Sequence, residues 1–79
     1  MEIIIHSLIE SAIDILICDD MDRYATLDRC ATDEDNTVDL HIRVRTVVID
    51  NNHIIFEFPN ASVLAVNLPS THYHKIEVL

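Results

Sequence analysis

The chain has 79 residues, of which 14 are acidic and 5 are basic, so its formal net charge at pH 7 is −9. This length provides for one small hydrophobic core, and we interpret residues 1–79 as a single domain. An apolar fraction of 49% is too high for a disordered acidic tail. The negative charge argues against direct binding to nucleic acid or to an anionic membrane. Because there is no glycine, glycine-rich loops that bind phosphates or dinucleotides are excluded as well.

The compartment follows from the first residues and from the cysteines. The N-terminus lacks the basic start of a secretory signal, and Glu10 and Asp14 interrupt the first apolar stretch well before the ~18 residues of a membrane-spanning helix. Cys18 and Cys30 could form a disulfide, but two cysteines without an export signal are typical of reduced thiols. We therefore expect a cytoplasmic protein without a membrane partner.

The N-terminal third has a helical pattern. Over residues 5–17 the apolar side chains recur with the 3.6-residue period of a helix with one buried face. Residues 2–5 are largely β-branched, so a short strand is the alternative there. Asp19 or Asp20 is a suitable N-cap for a second short helix that extends through Leu27. The sequence thus predicts two N-terminal helices.

The pattern then changes to that of a sheet. Residues 32–37 are polar and predict a loop, and the alternation of apolar and polar residues over 38–45 predicts a half-buried strand. Residues 50–53 predict a hairpin turn, because asparagine tolerates a positive φ better than most residues do. The return strand covers residues 54–58.

This hairpin raises a conflict of register. Pairing Ile49 with Ile54 across the turn places both side chains on the face opposite the apolar residues of 38–44. A β-bulge near Arg45-Thr46 would bring both apolar sets onto one face, and we predict a bulge there.

Two further strands complete the expected fold. They are predicted around residues 64–68 and over residues 74–79, with Ile76 and Val78 facing inward. The fold class is then α+β, a two-layer domain in which two N-terminal helices pack on a four- to five-stranded antiparallel sheet. In this interpretation residues 1–35 form a helical acidic half and residues 37–79 form an antiparallel meander.

The acidity is concentrated in the first half. Residues 10–35 hold nine acidic and two basic side chains, a net charge of −7, whereas residues 36–79 hold four and three, a net charge of −1. A solvated acidic face is the simplest interpretation. The alternative is that these carboxylates, among them Asp19 and Asp20, imitate a phosphate backbone and bind in the nucleic-acid-binding cleft of a basic protein.

Catalysis and metal binding have little support in the sequence. The five histidines are not spaced with acids or cysteines as zinc ligands usually are, so we expect no metal and no cofactor. A chain of this length has little volume for a buried cleft, and no nucleophile motif is present. We therefore expect that the protein is not an enzyme.

Two stretches, taken in order, are similar to one known family. The first combines Glu10-Ser11, Asp14-Ile15 and Asp22-Arg23-Tyr24, and the second is the turn over residues 49–53 between two strands. Together they resemble the staphylococcal type of uracil-DNA glycosylase inhibitor. The Glu-Ser pair before an acidic helical segment is also similar to the phage type of the same inhibitor class.

The resemblance implies an acidic DNA mimic that forms a one-to-one complex with uracil-DNA glycosylase. Glu10 and Ser11 would then contact the phosphate-reading loops of the enzyme, while Asp14 and Asp22 add charge. His53, at the hairpin tip, would contact the enzyme as well. In this family an apolar pocket between helix and sheet receives a hydrophobic side chain of the enzyme. The residues that either line such a pocket or form the core are Met21, Tyr24, Ile42, Val44 and Phe56.

Two alternatives stay open. The first is a DNA mimic, such as a phage or mobile-element protein, that acts against a different nucleic-acid-binding enzyme: a nuclease, a CRISPR effector or a restriction complex. The second is a small antitoxin-like module that associates with itself through an exposed strand edge.

Overall fold

The computed structural model describes residues 1–16, 18–29 and 36–79. Within these ranges the chain is a small α+β protein with seven strands in two antiparallel sheets and short helical elements. The strands are β1 (Glu2–Ile9), β2 (Ala25–Arg29), β3 (Thr37–Arg43), β4 (Thr46–Asp50), β5 (His53–Glu57), β6 (Val63–Asn67) and β7 (Lys75–Val78). The helical elements are a 3-10 turn (Glu10–Ala12), α1 (Ile13–Leu16), α2 (Asp19–Tyr24) and a second 3-10 turn (Ser70–His72).

The strands divide into a four-stranded sheet, here called sheet A, and a three-stranded sheet, here called sheet B. The strand order is β2-β3-β1-β7 in sheet A and β4-β5-β6 in sheet B. The single meander predicted for residues 37–79 is therefore wrong. Strands β3 and β7 both pair with β1, and of the strands in this range only β4, β5 and β6 follow one another as neighbours. The half predicted to be helical contains β1 and β2 as well as the first 3-10 turn, α1 and α2.

The predicted first helix is the clearest correction. Residues 5–9 belong to β1, and helical structure begins only at Glu10. The register of β1 against β3 shifts between Ile5 and Leu8, and Ser7 adopts a φ of 54° at this irregularity. The extra residue turns both Ile5 and Leu8 to the core, where both are fully buried. A bulged strand thus reproduces the three-residue apolar spacing of a helix.

The predicted second helix is present but shorter. It ends at Tyr24, and Leu27 lies in β2. Neither Asp19 nor Asp20 is its N-cap, because Cys18 takes that position and its Sγ accepts a hydrogen bond from the Met21 N–H at 3.3 Å. Cys18 is a free thiol, whereas Cys30 and most of the predicted loop lie outside the described residues.

The hairpin and its register agree with the prediction. Ile49 pairs with Ile54 across a turn in which Asn51 has a φ of 54°. An irregularity also lies where the bulge is predicted. The Arg45 N–H donates to the Glu57 carbonyl at 2.7 Å, although Glu57 is the ladder partner of Thr46, so two successive residues oppose one. The chain passes from sheet A to sheet B at this bulge.

A single cluster of buried side chains joins both sheets and the helical elements. It contains Ile3, Ile5, Leu8, Ala12, Leu16, Met21, Val38, Leu40, Ile42, Val44, Ile54, Phe56, Phe58, Val66 and Leu68. Ile76 packs against this core as predicted, whereas Val78 is 59% exposed because it lies near the end of an edge strand. Among the described residues, no helix has the length and apolar character needed to cross a bilayer.

Candidate interaction surface at the helical segment

The acidic residues singled out by the sequence lie on one connection, which we call the helical segment (residues 10–24). This segment joins β1 to β2, two strands that pair with opposite sides of β3. It packs against both sheets, since α2 contacts β2 and β3 and α1 contacts β6. Three small or apolar side chains fix it to the core, namely Ala12, Leu16 and Met21.

The carboxylates of the helical segment lie on its outer side. Asp14, Asp19 and Asp22 are exposed, and Glu10 and Asp20 are half-buried. The segment carries five acids and only Arg23 as a cation, which gives a net charge of −4. Three of the acids lie in the first turn of α2, where the helix dipole offsets part of their mutual repulsion. The result is a negatively charged surface on a firmly packed connection.

The start of the segment is fixed by its backbone. The Glu10 N–H donates to the Asn36 carbonyl at 2.8 Å, just before β3 begins. Ser11 follows on the 3-10 turn with its side chain exposed. The Glu-Ser pair that carries the family resemblance is therefore held at the end of sheet A.

An apolar cavity opens beside the acidic residues. Its volume is about 190 Å³, and it lies between the helical segment and the adjoining strands β2 and β3. Leu27, which is 51% exposed, belongs to its wall. The complete lining is Ile13, Leu16, Met21, Asp22, Ala25, Leu27 and Leu40. Because Asp22 contributes to the wall, a carboxylate and an apolar opening share one surface.

Of the five residues predicted for the pocket, only Met21 lines this cavity. Ile42, Val44 and Phe56 are fully buried in the core between the two sheets. Tyr24 is half-buried, and its ring stacks on that of Phe58 with the centroids 5.1 Å apart. The prediction missed Ala25 and Leu27 because it placed residues 19–27 on a helix. Their alternation with Thr26 and Asp28 is the period-two signal that would have indicated β2.

His53 lies on a different element from the acids. It begins β5 at the tip of the hairpin, pairs with Asp50 and Asn67, and is exposed. The hairpin belongs to sheet B, whereas the helical segment joins two strands of sheet A. The positions of His53 and of the acids thus define two separate candidate contacts.

The structure also forms a polar network that the sequence analysis missed, on the face of sheet A opposite the core. His6 Nε2 lies 2.7 Å from Glu77 Oε1, and His6 Nδ1 lies 3.9 Å from Asp39 Oδ1. The Ser7 N–H donates to Asp39 Oδ1 at 3.0 Å. The hydrogen bond from His6 holds the pKa of the Glu77 carboxyl below its usual value of 4.5. This network connects β1 to both of its neighbours at the β1 bulge.

A second histidine-carboxylate pair lies on the same face. His41 Nε2 on β3 is 3.1 Å from Asp28 Oδ2 on the edge strand β2. Within the described part of the chain, no group of three or more histidine, cysteine or acidic residues has the arrangement of a metal site. The interactions of this face are therefore those of cross-strand ion pairs, which are modest where the side chains are exposed.

Comparison with known proteins adds no relative: no family model, no curated protein and no solved structure matches this chain. The resemblance to the glycosylase inhibitors consequently rests on the two short stretches of sequence. The fold adds an independent feature, because it places Asp22 of the helical segment in the wall of the apolar cavity.

Proposed function

We propose that the protein is an acidic inhibitor that occupies the nucleic-acid-binding groove of a basic enzyme, with the helical segment as its contact surface. The observation that carries this proposal is that the exposed Asp22 lies in the wall of the apolar cavity, on a segment that also exposes Asp14 and Asp19. An acidic face that served solubility alone would have no reason to adjoin an apolar opening. A binding surface commonly combines an apolar centre with a polar rim.

The two parts of this surface have different roles in the proposed mechanism. The carboxylates attract the cationic side chains that otherwise bind DNA phosphates, and they accelerate the encounter. The cavity beside Asp22 receives one apolar side chain of the enzyme, and its burial slows dissociation. The enzyme is inhibited because DNA and inhibitor compete for one groove, with no chemical step.

The specific target we propose is uracil-DNA glycosylase, in a one-to-one complex. This choice is supported by the two stretches that resemble the staphylococcal inhibitors. It is also supported by a cavity between a helix and a sheet, the location that the resemblance implies for the pocket. The wall of the cavity contains Met21 from the predicted set, and the contact of His53 follows from the resemblance alone.

The direct test is a uracil-excision assay on a double-stranded substrate with the protein in excess. We expect excision to cease and a stable complex with the glycosylase to elute as one species from a sizing column. Undiminished excision would contradict the glycosylase as target. A parallel series with a nuclease and a restriction endonuclease then examines the alternative of a DNA mimic with a different target.

A further inference from the structure

The open edges of the two sheets differ in how they are protected. Exposed edge strands usually carry charges or are covered by another element, because their free backbone groups otherwise pair with a further strand. Among the described residues, β7 carries Lys75 and Glu77, β2 carries Asp28, and β6, which is uncharged, contacts α1. Strand β4 has a different character, since its one charged residue is Asp50 at its end, and its residues 46–49 (Thr-Val-Val-Ile) carry no charge.

We propose that β4 pairs in antiparallel orientation with β4 of a second copy of this chain, which joins two B sheets into one continuous six-stranded sheet. The apolar side chains available for this contact are Val48, which is 53% exposed, and Ile49, which is 49% exposed. Pairing covers both of them and satisfies the backbone groups of the edge.

The backbone of β4 is suitable for this pairing. In a two-residue hairpin the residues that flank the turn form a hydrogen-bonded pair, here Asp50 with His53. Hydrogen-bonded pairs alternate along an antiparallel ladder, so Val48 also bonds to β5. The N–H and C=O groups of Val47 and Ile49 consequently point away from β5, toward the open edge. These four groups are the ones that a second copy would engage.

The side chains and the length of β4 favour one register, the one centred on Val48, which pairs all five residues from Thr46 to Asp50. Val47 and Ile49 lie on the face of sheet B that carries Phe56 and Ile54, and Val48 lies on the opposite face. A twofold axis perpendicular to the sheet keeps each face on its own side, so residues of the same face must oppose each other. Placing Val48 opposite Val48 of the second copy meets this condition. Val47 then opposes Ile49 of the second copy, and these two pairs exchange four hydrogen bonds.

Charge favours a second copy at this edge rather than at the helical segment. Residues 45–67 carry Arg45, Asp50 and Glu57, a net charge of −1, compared with −4 over the 15 residues of the helical segment. In the proposed register Asp50 of one copy lies opposite Thr46 of the other. Because Arg45 directly precedes Thr46, each end of the contact brings Asp50 of one copy close to Arg45 of the other.

Sedimentation velocity of the wild-type chain and two variants tests the proposal. We expect the wild type to dimerise with a dissociation constant between about 1 µM and 1 mM, because an interface formed by one pair of short strands is small and gives weak to moderate affinity. Val48→Lys places two ammonium groups on the symmetry axis and should give a monomer at every concentration. The matched control Val63→Lys, at a residue that is 62% exposed on the other edge of sheet B, should dimerise like the wild type. A monomeric wild type, or a Val48→Lys variant that still dimerises, would overturn the proposal.

A cross-linking experiment examines the register. In the proposed dimer Val48 opposes itself in a non-hydrogen-bonded pair, where the Cα atoms lie about 4.5 Å apart and a disulfide is geometrically possible. Val48→Cys in a Cys18→Ser, Cys30→Ser background should form a covalent dimer when oxidised glutathione accepts the two electrons. Val63→Cys in the same background should form no covalent dimer, because β6 lies on the other edge of sheet B. Equal cross-linking of the two variants would rule out this register.

Discussion

Ser7 determines how the first strand presents its side chains. Its φ of 54° lies in the left-handed region, which costs a non-glycine residue about 1–2 kcal/mol. The hydrogen bond from the Ser7 N–H to Asp39 Oδ1 helps to hold this conformation. In return, Ile5 and Leu8 both reach the core. The apolar spacing of this stretch therefore predicted a helix incorrectly, because a strand with a bulge produces the same spacing.

The strain at Ser7 leads to a prediction about stability. Ser7→Val should lower the free energy of unfolding by about 1–2 kcal/mol, because a β-branched side chain is poorly tolerated at positive φ. Ser7→Gly should retain stability, since glycine adopts this conformation freely. Urea denaturation measures the free energy of unfolding of both variants. Thr26→Val, on the exposed edge strand β2, is the control for adding a β-branched apolar residue and should be close to neutral. Equal stability of Ser7→Val and wild type would show that the bulge is not strained.

The contact between His6 and Glu77 leads to a prediction about pH. Because the folded-state pKa of Glu77 is lowered from 4.5, its contribution to stability is present above that value and is lost as the pH falls through the lowered pKa. His6→Ala removes the hydrogen bond to Glu77, so the pKa of Glu77 should rise toward 4.5. An NMR titration of the Glu77 side-chain carboxyl measures this change. His53→Ala, on sheet B, should leave the Glu77 titration unchanged, and an equal response to both substitutions would contradict the assigned cause.

Among the elements, those with local signals were predictable and those formed by distant pairing were not. The alternation over β3 predicts a strand, and the asparagines at residues 51 and 52 predict a hairpin. In each case the signal and the element it predicts involve residues that are close together in the sequence. Strand β1 has partners at least 28 residues away, and pairing with β3 and β7 overrides its helical pattern. Part of the cavity wall was missed for the same reason, because three of its seven residues come from β2 and β3.

The helical segment yields the prediction that tests its role as a binding element. Asp14→Lys and Asp22→Lys should each weaken inhibition of the glycosylase by about tenfold, which corresponds to about 1.4 kcal/mol. Both side chains are exposed, so the fold should tolerate the two substitutions, and circular dichroism of each variant verifies this. The control is Glu2→Lys, which makes the same change of charge at an exposed residue that starts β1, outside both the helical segment and the hairpin. If the three variants lose inhibition to the same extent, overall charge rather than this surface determines binding.

At the scale of the whole molecule, the sequence indicated that strands form but not which sheet each one joins. Alternation shows which side chains share a face and contains no information about the neighbouring strand. The bulge at Arg45-Thr46 was predicted from conflicting faces, yet its consequence is a change of sheet rather than a corrected single sheet. The acidic residues expected on two N-terminal helices instead lie on one compact connection between β1 and β2.

The net charge of −9 gives opposite salt effects for the two proposed contacts. Association with a cationic groove should slow as ionic strength rises, while dissociation changes little because the apolar cavity determines it. Self-association through β4 should instead strengthen with salt, since screening reduces the repulsion between two acidic copies. Surface plasmon resonance measures the first effect and sedimentation the second. An association rate independent of salt would exclude electrostatic steering by the helical segment.

The strand order β2-β3-β1-β7 also affects how the protein is made. As the polypeptide leaves the ribosome, β1 and β2 emerge first, but each has to wait for β3 because β3 lies between them. Even then β1 keeps an open side until β7 arrives at Lys75. A translation product that stops before this point leaves the isoleucine-rich β1 unpaired along one side. Such a product would aggregate, so every incomplete chain is a target for chaperones or proteolysis.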